Sequence, residues 1–152
     1  MPHELFEWQE RIKAVEREHS ATRLATERLL AEVERDPTIL ALESTIRVRD
    51  VRFASERLDG TYIIRLFAEF ETGLRLCWNV IRGRDPPNRT RDLLDGVAAS
   101  RRIPHDVLSQ SHVVREYRNA LIHERDELPA KIAISDARGR LCRFFSFLPP
   151  DW

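Results

Sequence analysis

The sequence predicts an all-α protein, a compact bundle of about five to six helices that begins with a long N-terminal helix. Glycine occurs only 5 times in 152 residues, and the strict alternation of apolar and polar residues that marks half-buried strands is scarce. Apolar residues instead recur at the three- and four-residue spacing of a helix face. We expect one domain over residues 1–152, made of a helical pair over 1–58 and a core bundle over 61–148.

The helical pair is predicted from its spacing and its breakers. Leu5 to Glu34 carries apolar residues at helical spacing, and Pro37 ends this helix because proline has no amide hydrogen to donate. Its middle, residues 17–23, is polar nearly all round, which is typical of a helix that projects from the core or contacts a second subunit. Thr38 to Leu58 predicts the second helix, and Gly60 suits the left-handed cap that would close it.

The core bundle follows the same logic. Its first helix carries one continuous apolar stripe and is expected to be central, and the loop "GRDPPNR" comes after it. Pro104 fits the first turn of the helix with the motif described below. Ser135 is the expected N-cap of the last helix, which Pro149 and Pro150 would end. The four predicted helices cover Thr61–Arg82, Arg91–Ser100, Pro104–His123 and Ser135–Leu148.

Composition excludes some classes of partner. The formal net charge is zero, so no global field attracts nucleic acid or a membrane surface, and a polyanion would need a local patch. The best one is residues 82–91, where four arginines and one aspartate leave a local charge of +3. Such a run could hold an RNA backbone; the alternative is a solvated loop. Of the 25 basic residues, 23 are arginine, which fits genome composition better than selection for phosphate binding.

Targeting and redox signals are few. No signal peptide opens the chain and no apolar run approaches the length of a membrane span, so a cytoplasmic protein without membrane contact is expected. Cys77 and Cys142 both lie in apolar segments, and we expect reduced core thiols.

The stretch "VREYRNALIHERDELP" carries the candidate chemistry. Arg118 is followed by Asn119 and, four residues later, by His123. Arg118 and His123 diverge by about 140° on an ideal helix, so they converge only if the helix end unwinds or the arginine reaches around. They flank a strip with Leu108, Arg115 and Ile122 that lies away from the main apolar stripe, and this second apolar strip suggests a homodimer.

These residue types suffice for RNA cleavage without a metal or cofactor. RNA carries its own nucleophile, the 2′-hydroxyl, and a neutral imidazole can take its proton. A guanidinium can stabilise the phosphorane with forked hydrogen bonds. DNA lacks the hydroxyl and would not be cut. The alternative is a solvated helix end at which His123 interacts favourably with the helix dipole.

The run "YRNALIH" resembles the Arg-polar-x-x-x-His signature of the HEPN superfamily. These are all-α proteins, frequently dimeric, and many are metal-independent ribonucleases of toxin–antitoxin and other defence systems. The resemblance spans from about residue 39 to residue 148. It implies that Arg118 and His123 are catalytic, and that Asn119 orients the phosphate or the histidine. RNA would be the substrate, and an antitoxin-like protein a partner, for which the N-terminal helical pair offers a surface.

Glu71 adds to this reading. A carboxylate at the rim of an apolar stripe is costly unless it is paired, and some HEPN branches have a similar "FE" followed by a basic residue, here Arg75. We expect Glu71 to pair with Arg118 or the neighbouring helix end; the alternative is a structural salt bridge to Arg75.

Departures and alternatives bound the hypothesis. One toxin branch of the superfamily has a modifiable tyrosine two positions after the histidine, where this chain has Arg125, so that particular pairing is not expected. His112 and Glu116, one turn apart, lack a third ligand, and no metal site is expected. The alternative function is a non-catalytic HEPN-like helical dimer that binds protein or RNA.

Overall fold

The computed structural model describes residues 4–43, 45–123 and 127–152. Over these residues the chain is a bundle of α-helices without a strand, which confirms the predicted fold class. A 3-10 turn, Pro37–Leu40, follows the first helix. We number the helices in chain order as α1 (Leu5–Arg35), α2 (Val48–Arg82), α3 (Thr90–Arg101), α4 (His105–Ile122) and α5 (Ile134–Phe145).

The predicted long N-terminal helix is confirmed as α1. It runs antiparallel to α2. Two ion pairs show this direction, since Arg11 near the start of α1 pairs with Glu69 in the second half of α2, and Glu34 at the end of α1 pairs with Arg52 near the start of α2. A row of buried and half-buried positions along α1 advances in alternating steps of four and three residues, as in a coiled-coil seam. They are Trp8, Ile12, Val15, His19, Thr22 and Thr26.

The first of the two alternatives predicted for the polar middle of α1, that it projects from the core, was wrong; the second, that it contacts a second subunit, stays a prediction. His19 is buried, and its Nε2 donates to Asp59 Oδ1 of α2 at 2.7 Å. The hydroxyls of Thr22 and Tyr62 lie 2.8 Å apart. Polar pairs therefore continue the α1–α2 packing where apolar residues stop, which a single helix pattern does not reveal.

The predicted helix break at Gly60 was also wrong, since α2 continues from Val48 to Arg82. The two predicted parts of the chain, 1–58 and 61–148, therefore share one helix. A Cβ at Gly60 would lie 3.3 Å from Leu121 Cδ2, so the missing side chain lets α4 approach α2 closely. This packing outweighs the weak helix propensity of glycine.

The predicted helix start at Thr38 was wrong because local caps set another one. The Asp36 carboxylate accepts from the amide and hydroxyl of Thr38 and holds the short 3-10 turn. Arg47 is the N-cap of α2, and its amide donates to Asp50 Oδ2 at 2.9 Å. The apolar residues assigned to this region are exposed except for Leu58; the exposed ones are Ile39, Leu42, Ile46 and Phe53.

The core lies where α2 meets the other four helices. Phe70 of α2 is fully buried and contacts three aromatic rings at centroid distances of 4.9 to 5.6 Å, namely those of Phe67, Phe144 and Phe145. The predicted central helix is thus confirmed. It presents Glu71, which follows Phe70, to the end of α4.

Three predicted helix boundaries differ from the observed ones by a few residues. Pro104 is the N-cap of α4 and not a residue of its first turn. Ala133, not Ser135, is the N-cap of α5, and Ile132, which precedes it, is buried. The helix α5 ends at Phe145, before the two prolines.

Both cysteines are free thiols, as predicted: Cys77 is buried and Cys142 is half-buried. Burial raises the pKa of the Cys77 thiol to about 12. In the described part of the chain, no helix combines the length and the apolar character that crossing a bilayer requires.

Candidate functional site

Arg118 lies in the last turns of α4 and reaches across to α2. Its Nη2 donates to Glu71 Oε2 at 2.9 Å, and its Nη1 donates to Asn119 Oδ1 at 3.0 Å. Its Cζ lies 4.6 Å from the centroid of the buried Phe67 ring, close enough for a cation–π contact. The predicted pairing of Glu71 with Arg118 is confirmed.

Glu71 serves more than one partner. Its Oε1 accepts from Arg75 Nη2 at 2.7 Å and from the Thr90 hydroxyl at 2.9 Å. The alternative pairing with Arg75 is therefore present as well, and the two do not exclude each other. The side chain of Glu71 is 19% exposed, so its charge is largely removed from water and compensated by two guanidinium groups.

The electrostatics favour an anion. Two arginines share one carboxylate, so the group carries one positive charge in excess. Burial lowers the pKa of the Arg118 guanidinium, and the Glu71 carboxylate opposes this shift while Arg115 adds to it. A guanidinium has five N–H donors, and among the described residues Arg118 uses two of them. The other three N–H groups have no hydrogen-bond partner among the described residues.

Asn119 links the two ends of the motif. Its side chain accepts from Arg118, and its carbonyl accepts from the His123 amide at 3.0 Å. His123 is the C-cap of α4, at φ −95° and ψ 8°, and its side chain is exposed. The helix thus ends at the histidine with its last i→i−4 hydrogen bond intact, and the convergence of Arg118 and His123 stays a prediction.

The structure brings Glu71, Arg118 and Asn119 together, and leaves His123 at the adjoining helix end. In residues 4–43, 45–123 and 127–152, no hydrogen bond joins the His123 and Arg118 side chains. Four grooves with volumes of 270, 450, 410 and 440 Å³ are lined by neither residue. Arg125, which bears on the toxin pairing, lies outside the described residues.

The strip between Arg118 and His123 is only partly free. Leu108 packs against the core, while Ile122 is 45% exposed. Arg115 Nε donates to His112 Nδ1 at 3.2 Å. His112 Nε2 must then carry the proton that it donates to Asp95 Oδ1, 2.7 Å away. Both nitrogens of His112 are engaged, and the described residues hold no group of three potential metal ligands.

A second polar cluster was missed by sequence reasoning. Asp59 Oδ1 accepts from His19 and Arg23, and Oδ2 lies 3.2 Å from Lys131 Nζ. Burial would raise the pKa of Asp59, but hydrogen bonds from these three residues together lower it to about 2. His19 and Asp59 are 40 residues apart, so no local spacing signals the pair.

Thr90 and Phe67 were likewise given no role in the site. The pairing of Arg75 with Glu71 could be predicted from their i,i+4 spacing on one helix. The contact of Thr90 with Glu71 could not, because it depends on the course of the loop after α2.

The fold and the site together define a class of protein: an α-helical bundle with a half-buried Glu–Arg–Asn group beside an exposed histidine at a helix end. Comparisons with family models, with curated proteins and with solved structures returned no match to this chain.

Proposed function

We propose that this protein is a metal-independent endoribonuclease of HEPN type that acts in the cytoplasm as a toxin or defence component. The observation that carries the proposal is the geometry of Arg118. It is half-buried, aligned by Glu71 and Asn119, and retains donors for a phosphate at a helix end that also bears His123.

In the proposed reaction, His123 takes the proton of the RNA 2′-hydroxyl as general base. The 2′-oxygen attacks the adjacent phosphorus, the bond to the 5′-oxygen breaks, and that oxygen receives a proton from a general acid. The products are a 2′,3′-cyclic phosphate and a 5′-hydroxyl. Arg118 stabilises the charge that develops on the phosphoryl oxygens.

A homodimer would complete this chemistry. One imidazole cannot at the same moment accept one proton and donate another, so a second His123 from a second copy would supply the acid. The exposed Ile122, adjacent to His123, supports a contact at this helix end.

The test uses a short RNA in which a single 2′-hydroxyl is replaced by hydrogen at the mapped cleavage position. Wild-type protein with a chelator should cut the all-ribose RNA and leave the substituted bond intact. His123→Ala should leave both RNAs intact. The matched control is His105→Ala, because His105 is an exposed histidine on the same helix. RNA patterns that are equal for wild type and His123→Ala would remove the enzymatic claim.

The alternative is a non-catalytic helical module that binds RNA or an antitoxin-like protein. The observation that favours it is the same Glu71–Arg118 pair, because a side chain that is 18% exposed and paired has a structural use already. In that case His123→Ala and Arg118→Ala would not change RNA integrity, and only Arg118→Ala would reduce thermal stability.

A further inference from the structure

We propose that the arginines around the α2–α3 connection bind the phosphate backbone of RNA and direct it to Arg118. The surface consists of Arg82, Arg84, Arg89 and Arg91, and we call it the arginine loop. The choice of RNA as the ligand rests on the proposed function.

The charges of the arginine loop are open to a ligand. All four side chains are exposed. Within the described residues, Arg82, Arg84 and Arg89 form no ion pair with a carboxylate, and Arg91 has only a long contact of 3.9 Å to Asp95. A polyanion can therefore bind without first displacing an acidic side chain.

The loop is held in one conformation by side chains of α2. Trp78 Nε1 donates to the carbonyl of Asp85 at 3.2 Å. Arg75 donates to the carbonyls of Pro87 and Asn88 at 2.9 and 3.2 Å. Gly83 closes α2 at φ +60°, which glycine adopts without strain. A loop fixed in advance loses little conformational entropy when it binds.

Trp78 also gathers two of the arginines. The Cζ atoms of Arg82 and Arg84 lie 5.5 and 5.9 Å from the centroid of its ring. Two guanidinium groups therefore lie within 6 Å of one indole, and a guanidinium forms forked hydrogen bonds with phosphate.

The loop adjoins the site. Arg89 is the N-cap of α3, and the next residue, Thr90, donates to Glu71 Oε1 at 2.9 Å. The other oxygen of the same carboxylate holds Arg118 at 2.9 Å. Thr90 and Glu71 therefore connect the arginine loop to Arg118, and we expect a backbone bound along the loop to pass near Arg118.

The surface favours a nucleic-acid backbone over an acidic protein. Residues 82–91 contain no aromatic or large aliphatic side chain, and Trp78 is only 4% exposed. Protein interfaces are centred on such apolar anchors, whereas phosphate contacts need only charge and donors. We therefore expect binding with little sequence preference.

The experiment measures binding of a short fluorescent single-stranded RNA by anisotropy in a His123→Ala background, which keeps the RNA intact. The test variant adds Arg82→Gln, Arg84→Gln and Arg89→Gln. We expect about tenfold weaker binding, and a slope of log affinity against log salt that is smaller by about 2, because three phosphate contacts to a single strand are lost.

The matched control removes three charges elsewhere, by Arg28→Gln, Arg35→Gln and Arg49→Gln. These residues are also exposed, and they lie on α1 and at the start of α2. The control should bind RNA nearly as tightly as the parent. Circular dichroism of each variant checks the fold. The single variant Arg84→Gln should show about a third of the change in salt slope that the triple variant shows.

Three outcomes would contradict the proposal that the arginine loop binds RNA. They are equal losses in the two triple variants, no binding by the parent, or displacement of RNA by polyglutamate as effectively as by unlabelled RNA. The failures of the two proposals differ. If the wild-type protein cuts RNA but the triple variant of the arginine loop binds RNA normally, the proposal for the arginine loop is wrong and the proposed nuclease activity is retained. If the triple variant loses RNA binding but the wild-type protein cuts no RNA, the proposed nuclease activity is wrong and the proposal for the arginine loop is retained.

Discussion

Glu71 and Arg118 are 47 residues apart in sequence, and their side chains meet at 2.9 Å across the α2–α4 contact. The first prediction concerns stability. Glu71→Gln should lower the free energy of unfolding by about 2 kcal/mol, because it leaves two partly buried guanidinium groups with a neutral partner. Urea unfolding followed by circular dichroism measures the loss.

The control for this change is Glu18→Gln. Glu18 pairs with Arg65 between α1 and α2, and both side chains are 49% exposed. Exposed pairs contribute little, so the loss there should be about 0.5 kcal/mol or less. Equal losses at the two positions would contradict the buried role of Glu71.

Arg118→Lys tests whether the guanidinium geometry of Arg118 is needed for RNA cleavage, because the substitution keeps the positive charge. An ammonium cannot contact Glu71, Asn119 and a phosphate with a planar fork, so we expect RNA cleavage to fall by at least about 100-fold. Helicity should be unchanged. Arg143→Lys, at an exposed position of α5, should cleave RNA like the wild type. If Arg118→Lys cleaved RNA at the wild-type rate, the positive charge of Arg118 would be sufficient and its guanidinium geometry would not matter.

Two helical glycines should respond in opposite directions to alanine. A Cβ at Gly139 meets nothing within 4 Å, so Gly139→Ala should stabilise the protein by about 0.5–1 kcal/mol. A Cβ at Gly96 would lie 2.6 Å from Trp78 Cζ3, so Gly96→Ala should destabilise it by about 1–3 kcal/mol. The measurement is the urea midpoint at constant slope. A midpoint that does not fall for Gly96→Ala would contradict the packing around Trp78.

The pKa of Asp59 gives a pH dependence with a definite sign. It falls from 3.8 to about 2 on folding, so the stabilisation by Asp59 is complete above about pH 4 and is lost as the pH falls to about 2. The side chain is 30% exposed, and solvent screening reduces the contribution to about 1 kcal/mol.

Asp59→Asn should remove that part of the acid sensitivity. Wild type and variant should differ in unfolding free energy at pH 6 and converge near pH 2. A gap that stays constant over this range would mean that the carboxylate stabilises the fold without its charge.

Local patterns predicted well where one local force decides. The end of α1 near Pro37 and the apolar stripe of α2 follow from the missing amide hydrogen and from helical spacing, and both are confirmed. The pairing of Glu71 with Arg118 was predictable because a carboxylate beside an apolar stripe needs a partner.

Predictions failed where a distant residue decides. Gly60 was predicted to be a cap because its own conformational freedom was the only local information, whereas it lies within α2 and packs against Leu121 of α4. The polar stretch of α1 was read as projecting, because Asp59 and Tyr62, which satisfy its buried groups, lie some 40 residues further along the chain. The catalytic roles of Arg118, Asn119, Glu71 and His123 stay predictions.

The sharing of the Glu71 carboxylate by Arg75, Thr90 and Arg118 has an evolutionary consequence. A lineage cannot replace any one of these four residues without leaving the others mismatched, so divergence at this junction requires coordinated substitutions. Relatives of this chain should therefore either retain the whole quartet or exchange it together.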